Sequence, residues 1–561
     1  MIIKEGIVSL KKTFLLFSIG VTSASSFANT EENFSQASHS QNSFISGPEE
    51  GSFALEQNGA TMDNNAGISY MGASPRAMNN YKPRGIKITP FANASTTYSD
   101  NINLTHDNEE AGMFYGVGAG VRADMVTNRL DAAGTAAARI GWGNEHDAQI
   151  APYLEAAATA ELIKNRLYVD GIANFSSILN TASAFNSNSG ASSGDIEGIG
   201  ALSVSPYWRQ KIGNWAVGEL RYGYDQSFTT ADNVGDLKSH SYQATIGTGD
   251  RFNRVSLEGS VSHITSDYNM GFGNDGDMTQ TTYMLSGTYG LTKTLSLIGN
   301  AGYDQISDTN INDDEFSGAF YNAGLQYVPN SRASFRGVVG RRNNALSYSV
   351  DANYRVNDRL YLGATAQTQL LPPAGFANRT MLAGNNAGTL NDRINSGMSP
   401  AEAIRTVYGL QDGGVIGGSA NNITADTVIA GSDQNMSPFR NELMMLFAGI
   451  SGREWSGNAS VGIQNSDYEN AQDQKTTIAT ASLGRQLGQK WSTTIGGYYY
   501  GIDTGYVQNE SETLGFNLGV NYNINKYLNA FGSIQRLVRS APIQENEFIE
   551  HSATLGINAS F

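Results

Sequence analysis

The sequence predicts an all-β chain folded as a transmembrane antiparallel up-and-down β-barrel of about 22 strands, within a range of about 18 to 26, with one long helix-containing loop. Three observations carry that prediction. The last eleven residues, His551 to Phe561, alternate one in two. Ala553, Leu555, Ile557, Ala559 and Phe561 fall on one face and Ser552, Thr554, Gly556, Asn558 and Ser560 on the other, the period of a strand with one apolar side. A chain that ends such a strand on an aromatic residue fits the closing strand of an outer-membrane barrel, with Phe561 as its assembly signal. An edge strand of a soluble sandwich would alternate in the same way, but the second observation points to export. Lys4, Lys11 and Lys12 precede the apolar run Phe14 to Val21, and Ser26, Phe27 and Ala28 form a small-x-small cleavage site, so residues 1–28 read as a signal peptide. Third, from Ile86 to Phe561 strands of about 10 to 14 residues come in pairs, joined alternately by a very short turn and a longer polar loop. The expected location is the cell outer membrane of a Gram-negative bacterium.

Composition agrees and excludes several classes. Gly 63, Tyr 27 and Phe 23 against 12 Pro describe many strands and tight turns rather than helices. The mean hydropathy of -0.32 looks soluble, as expected when every second residue touches lipid and the lumen is polar. Beyond the signal no stretch of 18 or more apolar residues occurs, which excludes helical spanning. A net charge of -16 excludes nucleic acid as a partner, since phosphate contacts need clustered Lys and Arg. With no cysteine there is no disulfide framework, thiolate metal site, cysteine nucleophile or haem attachment motif.

Taken in order, residues 29–84 are rich in Ser, Asn, Gln and Gly and read as a disordered periplasmic lead-in. Residues 85–561 read as the barrel. Two strands alternate most cleanly. Leu346, Tyr348, Val350, Ala352, Tyr354 and Val356 face lipid opposite Ser347, Ser349, Asp351, Asn353 and Arg355, and Leu514, Phe516, Leu518, Val520, Tyr522 and Ile524 do so opposite Gly515, Asn517, Gly519, Asn521 and Asn523. Short turns fall at residues 127–129, 164–166, 212–214, 251–253, 292–293, 329–331, 357–359, 452–454, 488–489 and 525–526. Trp142, Trp208, Trp215, Trp455 and Trp491 lie near strand ends, where interfacial girdles form. Residues 372–437 stand apart as a long loop or internal plug. They contain a helix start with Ser399 as N-cap, Pro400 at the first helical position, Glu402 closing a capping box, and Tyr408 before the stop Gly409.

The stretch from Ile88 to Leu104, with Tyr98-Ser-Asp-Asn101 at its core, resembles the first strand of the PEP-CTERM system-associated outer-membrane β-barrel proteins. Leu167-Tyr-Val-Asp-Gly171, Val204-Ser-Pro-Tyr-Trp-Arg209, Ala216-Val-Gly-Glu-Leu-Arg-Tyr222 and Phe252-Asn-Arg254 follow in the family's order, over roughly residues 86 to 561. The resemblance implies a barrel fold, an outer-membrane location and an association with exopolysaccharide export. It brings no catalytic residues.

The polar register places Arg139, Glu155, Asp170, Glu219, Arg221, Arg254, Glu258, Asp351 and Arg355 toward the lumen, joined by Glu161, Arg209 and Arg336. Both signs mix there with many hydroxyls and amides, a surface suited to hydroxyl-rich polymers; pairing across neighbouring strands is the structural alternative for each charge. Six His in the chain, among them His106, His146 and His263, come with no Gly-x-Ser-x-Gly elbow and no His-Glu-x-x-His, so no catalytic residue, metal site or cofactor is expected and the chain reads as a non-enzyme. The acidic loops at residues 274–277 and 308–315 lack the EF-hand spacing and read as solvated surface charge or as places where divalent ions bridge lipopolysaccharide phosphates. The expected partners are outer-membrane lipid and lipopolysaccharide, the barrel assembly machinery, exopolysaccharide and periplasmic export proteins. The function expected first is a gated passage for polymer; a general diffusion porin and a structural or adhesive barrel are the alternatives.

Overall fold

The computed structural model describes residues 85–179, 196–229, 237–269, 275–309, 317–371, 439–468, 473–503, 511–542 and 547–561, apart from residues 103, 108, 144–147, 250, 253, 331, 358 and 453. The expected signal peptide, the lead-in, His146 and the loop 372–437 with Ser399, Pro400, Glu402 and Tyr408 lie outside the described residues. Among those described, no helix is long and apolar enough to cross a membrane.

The strands are β1 (Gly85–Ser99), β2 (Gly112–Val126), β3 (Leu130–Gly143), β4 (Gln149–Ile163), β5 (Leu167–Leu179), β6 (Ile196–Ile212), β7 (Ala216–Thr229), β8 (Leu237–Thr248), β9 (Val255–Asn269), β10 (Asp275–Gly290) and β11 (Leu295–Asp308). They continue as β12 (Gly318–Asn330), β13 (Ala333–Arg342), β14 (Ala345–Arg355), β15 (Leu360–Leu371), β16 (Phe439–Ser451), β17 (Trp455–Tyr468), β18 (Gln474–Leu487), β19 (Trp491–Asp503), β20 (Ser511–Asn523), β21 (Leu528–Ser540) and β22 (Phe548–Ser560). Every strand pairs antiparallel with its sequence neighbours, and β1 pairs with β22, so a single 22-stranded sheet closes on itself and leaves no edge. At about 4.8 Å between strands and a tilt near 40°, a circular barrel of this count is about 40 Å across.

Alternation sorts the two faces. Leu285, Val339, Leu346, Ile495, Leu518, Ile534 and Leu555 are exposed on the outside, while Thr135, Ser205, Gln280, Asn322, Ser347, Ser349 and Asn558 are buried on the inside. A wall that is apolar outward and polar inward, with its backbone paired all round, is an outer-membrane barrel. Leu514 keeps the outward register opposite Tyr499 and is nonetheless buried.

All ten short turns lie at the same end of the barrel, the periplasmic one, within a residue or two of the expected positions. Several use one device, in which a side-chain oxygen at the turn's start accepts two backbone N–H groups. Thr127 Oγ1 takes those of Arg129 and Leu130 (3.2 and 2.9 Å), Asn357 Oδ1 those of Arg359 and Leu360 (2.8 and 2.9 Å), and Asn525 Oδ1 those of Tyr527 and Leu528 (2.8 and 3.0 Å). Trp215, Trp455 and Trp491 sit beside these turns, Trp215 beneath Arg251 at 3.7 Å and Trp455 beneath Arg485 at 4.7 Å. They form a periplasmic girdle in which cations at the headgroup level cover aromatic faces. At the other end one connection is unexpectedly tight. Asn343 and Asn344, with φ of 51° and 63°, join β13 to β14 in two residues, the left-handed pair of a type I′ hairpin.

Candidate functional site: the lumen wall

Inward aromatic rings recur opposite inward glycines on the next strand. Phe320 faces Gly302, Phe447 faces Gly363, Tyr361 faces Gly449, Tyr498 faces Gly515 and Phe531 faces Gly556. At each of these glycines an added Cβ would run into the partner's ring. The ring therefore lies over the neighbouring backbone instead of standing into the lumen, which is what a residue without Cβ permits in a strand. Phe320 and Tyr498 are buried, whereas Tyr361, Phe447 and Phe531 are half-exposed. The lumen is thus lined in part by flat aromatic surfaces at wall level. Tyr361 and Phe447 are 6.5 Å apart between ring centres, on adjacent strands.

Two clusters of charge on the wall are paired internally. Toward the periplasmic end Arg221 Nη1 donates to Asp170 Oδ2 at 3.1 Å and to Ser205 Oγ at 2.9 Å, and its Nε donates to Glu219 Oε1 at 3.1 Å. The guanidinium lies 3.9 Å over Tyr207, which stacks on Tyr168 at 5.1 Å. Register explains the stack, because Tyr168 is directly opposite Tyr207 and Tyr207 directly opposite Arg221. Toward the outer end Arg342 clamps Asp304 in bidentate fashion, Nε to Oδ2 at 2.7 Å and Nη2 to Oδ1 at 2.9 Å, while Thr282 Oγ1 donates to Oδ1 at 2.8 Å. Asp304 is fully buried, and the clamp reaches across β12 over the Phe320 ring. Elsewhere the wall is stitched by hydroxyls and amides: Ser239 with Ser266 at 3.0 Å, Asn300 with Asn322 at 2.9 Å, Ser460 with Thr480 at 2.7 Å.

Of the residues expected in the lumen, Asp170, Glu219 and Arg221 come together as one network. Arg139 faces inward and donates to Ser95 at 3.1 Å. Asp351 sits opposite Arg336 on the inner face, and Arg355 ends β14 at the periplasmic mouth. Glu258 is on the inner register of β9, opposite Ser286. Glu155 pairs with Thr135 in the ladder, and its side chain lies outside the described residues. Arg254 is a correction: it lies in the turn before β9, exposed, because that strand begins one residue later at Val255. Asp275 and Asp277, expected in a loop, belong to β10. Asp304 and Arg342 escaped the sequence reading, although their alternation with the outward Tyr303 and the position of Arg342 before Asn343-Asn344 were the available signals.

The outer mouth carries a further inner-face cluster. Leu104, from the loop after β1, packs with Tyr498, Leu537 and Phe548, all buried. Its neighbour Asn101 fixes the loop, accepting from the Thr105 N–H at 3.0 Å and donating to the carbonyls of Thr105 and Ile549 at 2.7 and 3.1 Å. His106 of the same loop is 3.5 Å from Asp107, and His263 lies 2.9 Å from Thr281 on the outer register.

The lumen and its wall define the class, an outer-membrane β-barrel. Residues 434–542, from β16 to β21, match the model of a family described as "Putative MetA-pathway of phenol degradation". No curated protein matches the chain. Among solved structures, the chain is similar to the siderophore receptor PirA from Pseudomonas aeruginosa, at 10% identity and a TM-score of 0.44, over 86% of this chain and 81% of that one. It is also similar to PirA from Acinetobacter baumannii, at 8% identity and a TM-score of 0.46, over 86% and 81%. The ferric-catecholate import receptor Fiu from E. coli K12 aligns at 9% identity and a TM-score of 0.47, over 84% and 81%.

Proposed function

We propose that this barrel is a non-catalytic passage for a hydroxyl-rich polymer, an exopolysaccharide leaving the cell beside periplasmic export partners. The observation that carries the reading is the set of half-exposed rings laid against the wall at Tyr361, Phe447 and Phe531. Sugar rings present flat C–H faces and peripheral hydroxyls, so a chain of them slides best along aromatic faces flanked by neutral hydrogen-bond partners. The wall supplies the second element as well, because its strongest charges are consumed in pairs such as Arg221 with Asp170 and Arg342 with Asp304. A wall without one dominant sign neither traps nor repels an uncharged polymer.

The family match at residues 434–542 favours a second reading, passage of small aromatic solutes. Phe447 and Phe531 fall within that stretch, and the same flat faces would stack phenolic rings. Bilayer recordings separate the two. With dextran as the probe, the polymer reading expects current blockades that shorten when Phe447 and Phe531 are both replaced by Ser, and polymer accumulation in the periplasm when the gene is deleted. Absence of dextran blockade together with normal surface polymer would overturn it, and blockade by phenol alone would select the second reading.

A further inference from the structure

The wall is not equally closed all round. β14 and β15 are paired from Arg355 opposite Tyr361 to Ser349 opposite Gln367, seven positions, whereas no other neighbouring pair among the described residues has fewer than nine. Both strands continue past that point. Residues 345–348 of β14 stay paired with β13, and residues 368–371 of β15 stay paired with β16, but the two sets are not paired with each other. The sheet therefore splits at its outer end while each lip remains regular.

Continuing the register would set Tyr348 opposite Thr368. Instead Thr368 Oγ1 accepts the Tyr348 N–H at 3.0 Å, a side-chain oxygen in the place of a strand carbonyl. The same hydroxyl is 3.5 Å from Ser347 Oγ and from the Tyr348 carbonyl, distances at the limit of bonding. Two more hydroxyls flank the split, Tyr348 Oη on the outer register and Ser349 Oγ on the inner one, and both are buried with no hydrogen-bond partner among the described residues.

The split lies at membrane height. β13 and β14 have 10 and 11 residues, close to the minimum that spans a bilayer, and their two-residue turn adds nothing above it. On β16 the outward register passes from Leu446 and Met444 to Glu442, and Glu442 is opposite Thr368. That is the boundary between hydrocarbon and headgroups. Water and headgroups can meet part of the unpaired strand backbone there, whereas one step deeper it must find another partner.

We infer that the outer end of the β14–β15 boundary is a lateral passage between the lumen and the outer leaflet, taking an amphiphile with an apolar tail and a hydrogen-bonding head. The head meets Ser349 Oγ, Tyr348 Oη and the unpaired backbone, and the tail leaves between the lips into lipid. The Arg342–Asp304 clamp ties the β13–β14 lip back to β11, so separation occurs on the β15 side. This route does not depend on what travels along the barrel axis.

The absence of cysteine makes the test clean. The barrel is reconstituted in phosphatidylcholine liposomes doped with a lysophosphatidylcholine that carries a diazirine in its acyl chain, and labelled residues are mapped after illumination. Labelling at Ser347 and Ser349 is expected to exceed that at the inner-face Ser262 and Thr282 of the fully paired β9–β10 wall by about fivefold or more, the ratio that about 1 kcal/mol of preference gives. The double variant Ser347→Cys with Gln369→Cys, oxidised, should abolish that excess, and reduction should restore it. A control disulfide from Asp351→Cys with Thr365→Cys, inside the paired ladder, should change nothing. Equal labelling of the two walls, or an excess that survives the locked disulfide, overturns the passage. Should the double variant not oxidise, Ser349→Tyr serves in its place: a bulky ring in the split must lower the labelling of Ser347, and unchanged labelling in a heat-modifiable barrel overturns the inference.

Discussion

Two of the short ladders in this barrel, β1–β22 and β14–β15, are short in opposite ways. The β1–β22 closure runs from Phe91 opposite Ser560 to Ser99 opposite Ser552, nine positions, and further contacts brace it from within and carry it past both ends. Thr97 meets Thr554 at 2.9 Å, Ser99 Oγ donates to Glu550 at 2.9 Å, Asp100 holds His551 at 2.8 Å, and the Phe561 N–H reaches the Pro90 carbonyl at 2.9 Å. At β14–β15 one threonine hydroxyl stands where four positions are unpaired. The contrast follows from connectivity. No turn brings β1 to β22, so the entropy of joining the chain's ends falls on the contacts themselves. The turn at residues 356–359 holds β14 against β15 at the periplasmic end, so the outer end is free to diverge without opening the barrel. Closure is reinforced where the chain is not continuous and relaxed where it is.

The largest effect expected of breaking this contrast is at the chain's end. Deleting Phe561, or replacing it with Asp, removes the terminal aromatic side chain, exposed on the outer face, from the closing strand. Outer-membrane assembly should fail, read as loss of heat-modifiable migration in the outer-membrane fraction; a variant that assembles at normal level would show that the closure needs no terminal signal. Next comes the brace beside the relaxed ladder. Arg342→Ala leaves the fully buried Asp304 carboxylate without its cation, and should destabilise by about 3 to 5 kcal/mol in a urea titration of the reconstituted barrel. A loss under about 1 kcal/mol would mean that the clamp is solvated and does not hold the β13–β14 lip.

Much of this fold was legible beforehand because a barrel wall writes a period of two into every strand. The strand count, the ten periplasmic turns and the inward set around Asp170, Glu219 and Arg221 all follow from that alternation and from turn residues such as Asn357 and Asn525. Pairing partners were less legible. Alternation says that Arg342 faces inward, but it cannot say that the side chain passes over Phe320 to Asp304 two strands away, since that depends on how far a long side chain leans along the wall. The rings over Gly302, Gly363, Gly449, Gly515 and Gly556 were equally hidden, because each needs the register between two strands, which loop length sets and sequence period does not. Arg254 was misplaced for a local reason: polar turns continue a strand's alternation for a residue or two after pairing has stopped.

Smaller effects sharpen the difference between faces and between the two ladders. Leu518→Arg places a charge in hydrocarbon and should destabilise by about 2 to 4 kcal/mol, whereas Asn521→Arg on the inner register should be mild. Equal sensitivity of the two in the same titration would mean that the assigned register is reversed. At the closure, Ser99→Ala removes a donor from the buried Glu550, a loss of about 1 to 3 kcal/mol. Its stability deficit should be accompanied by faster hydrogen exchange at the Asp100 amide, which donates to the His551 carbonyl.

The smallest expected change bears most directly on the relaxed ladder. Thr368→Val keeps the shape of the side chain and removes the one oxygen that accepts the Tyr348 N–H. At the outer boundary of the membrane, water and headgroups can replace part of what is lost, so the cost should be about 1 kcal/mol, near that of an ordinary hydrogen bond. Its local signature should be larger than its global one. The Tyr348 amide should exchange several-fold faster, while the amides of Val350 and Ala352, which also point toward β15 but lie inside the paired part of the ladder, keep their protection. If the Tyr348 amide is already as unprotected in the parent as in the variant, the threonine bridge does not form in the membrane and the split is wider than these contacts imply. If instead the amides along all of β14 lose protection together, β14 and β15 open as one cooperative unit, and the distinction between a braced closure and a locally relaxed ladder no longer describes this barrel.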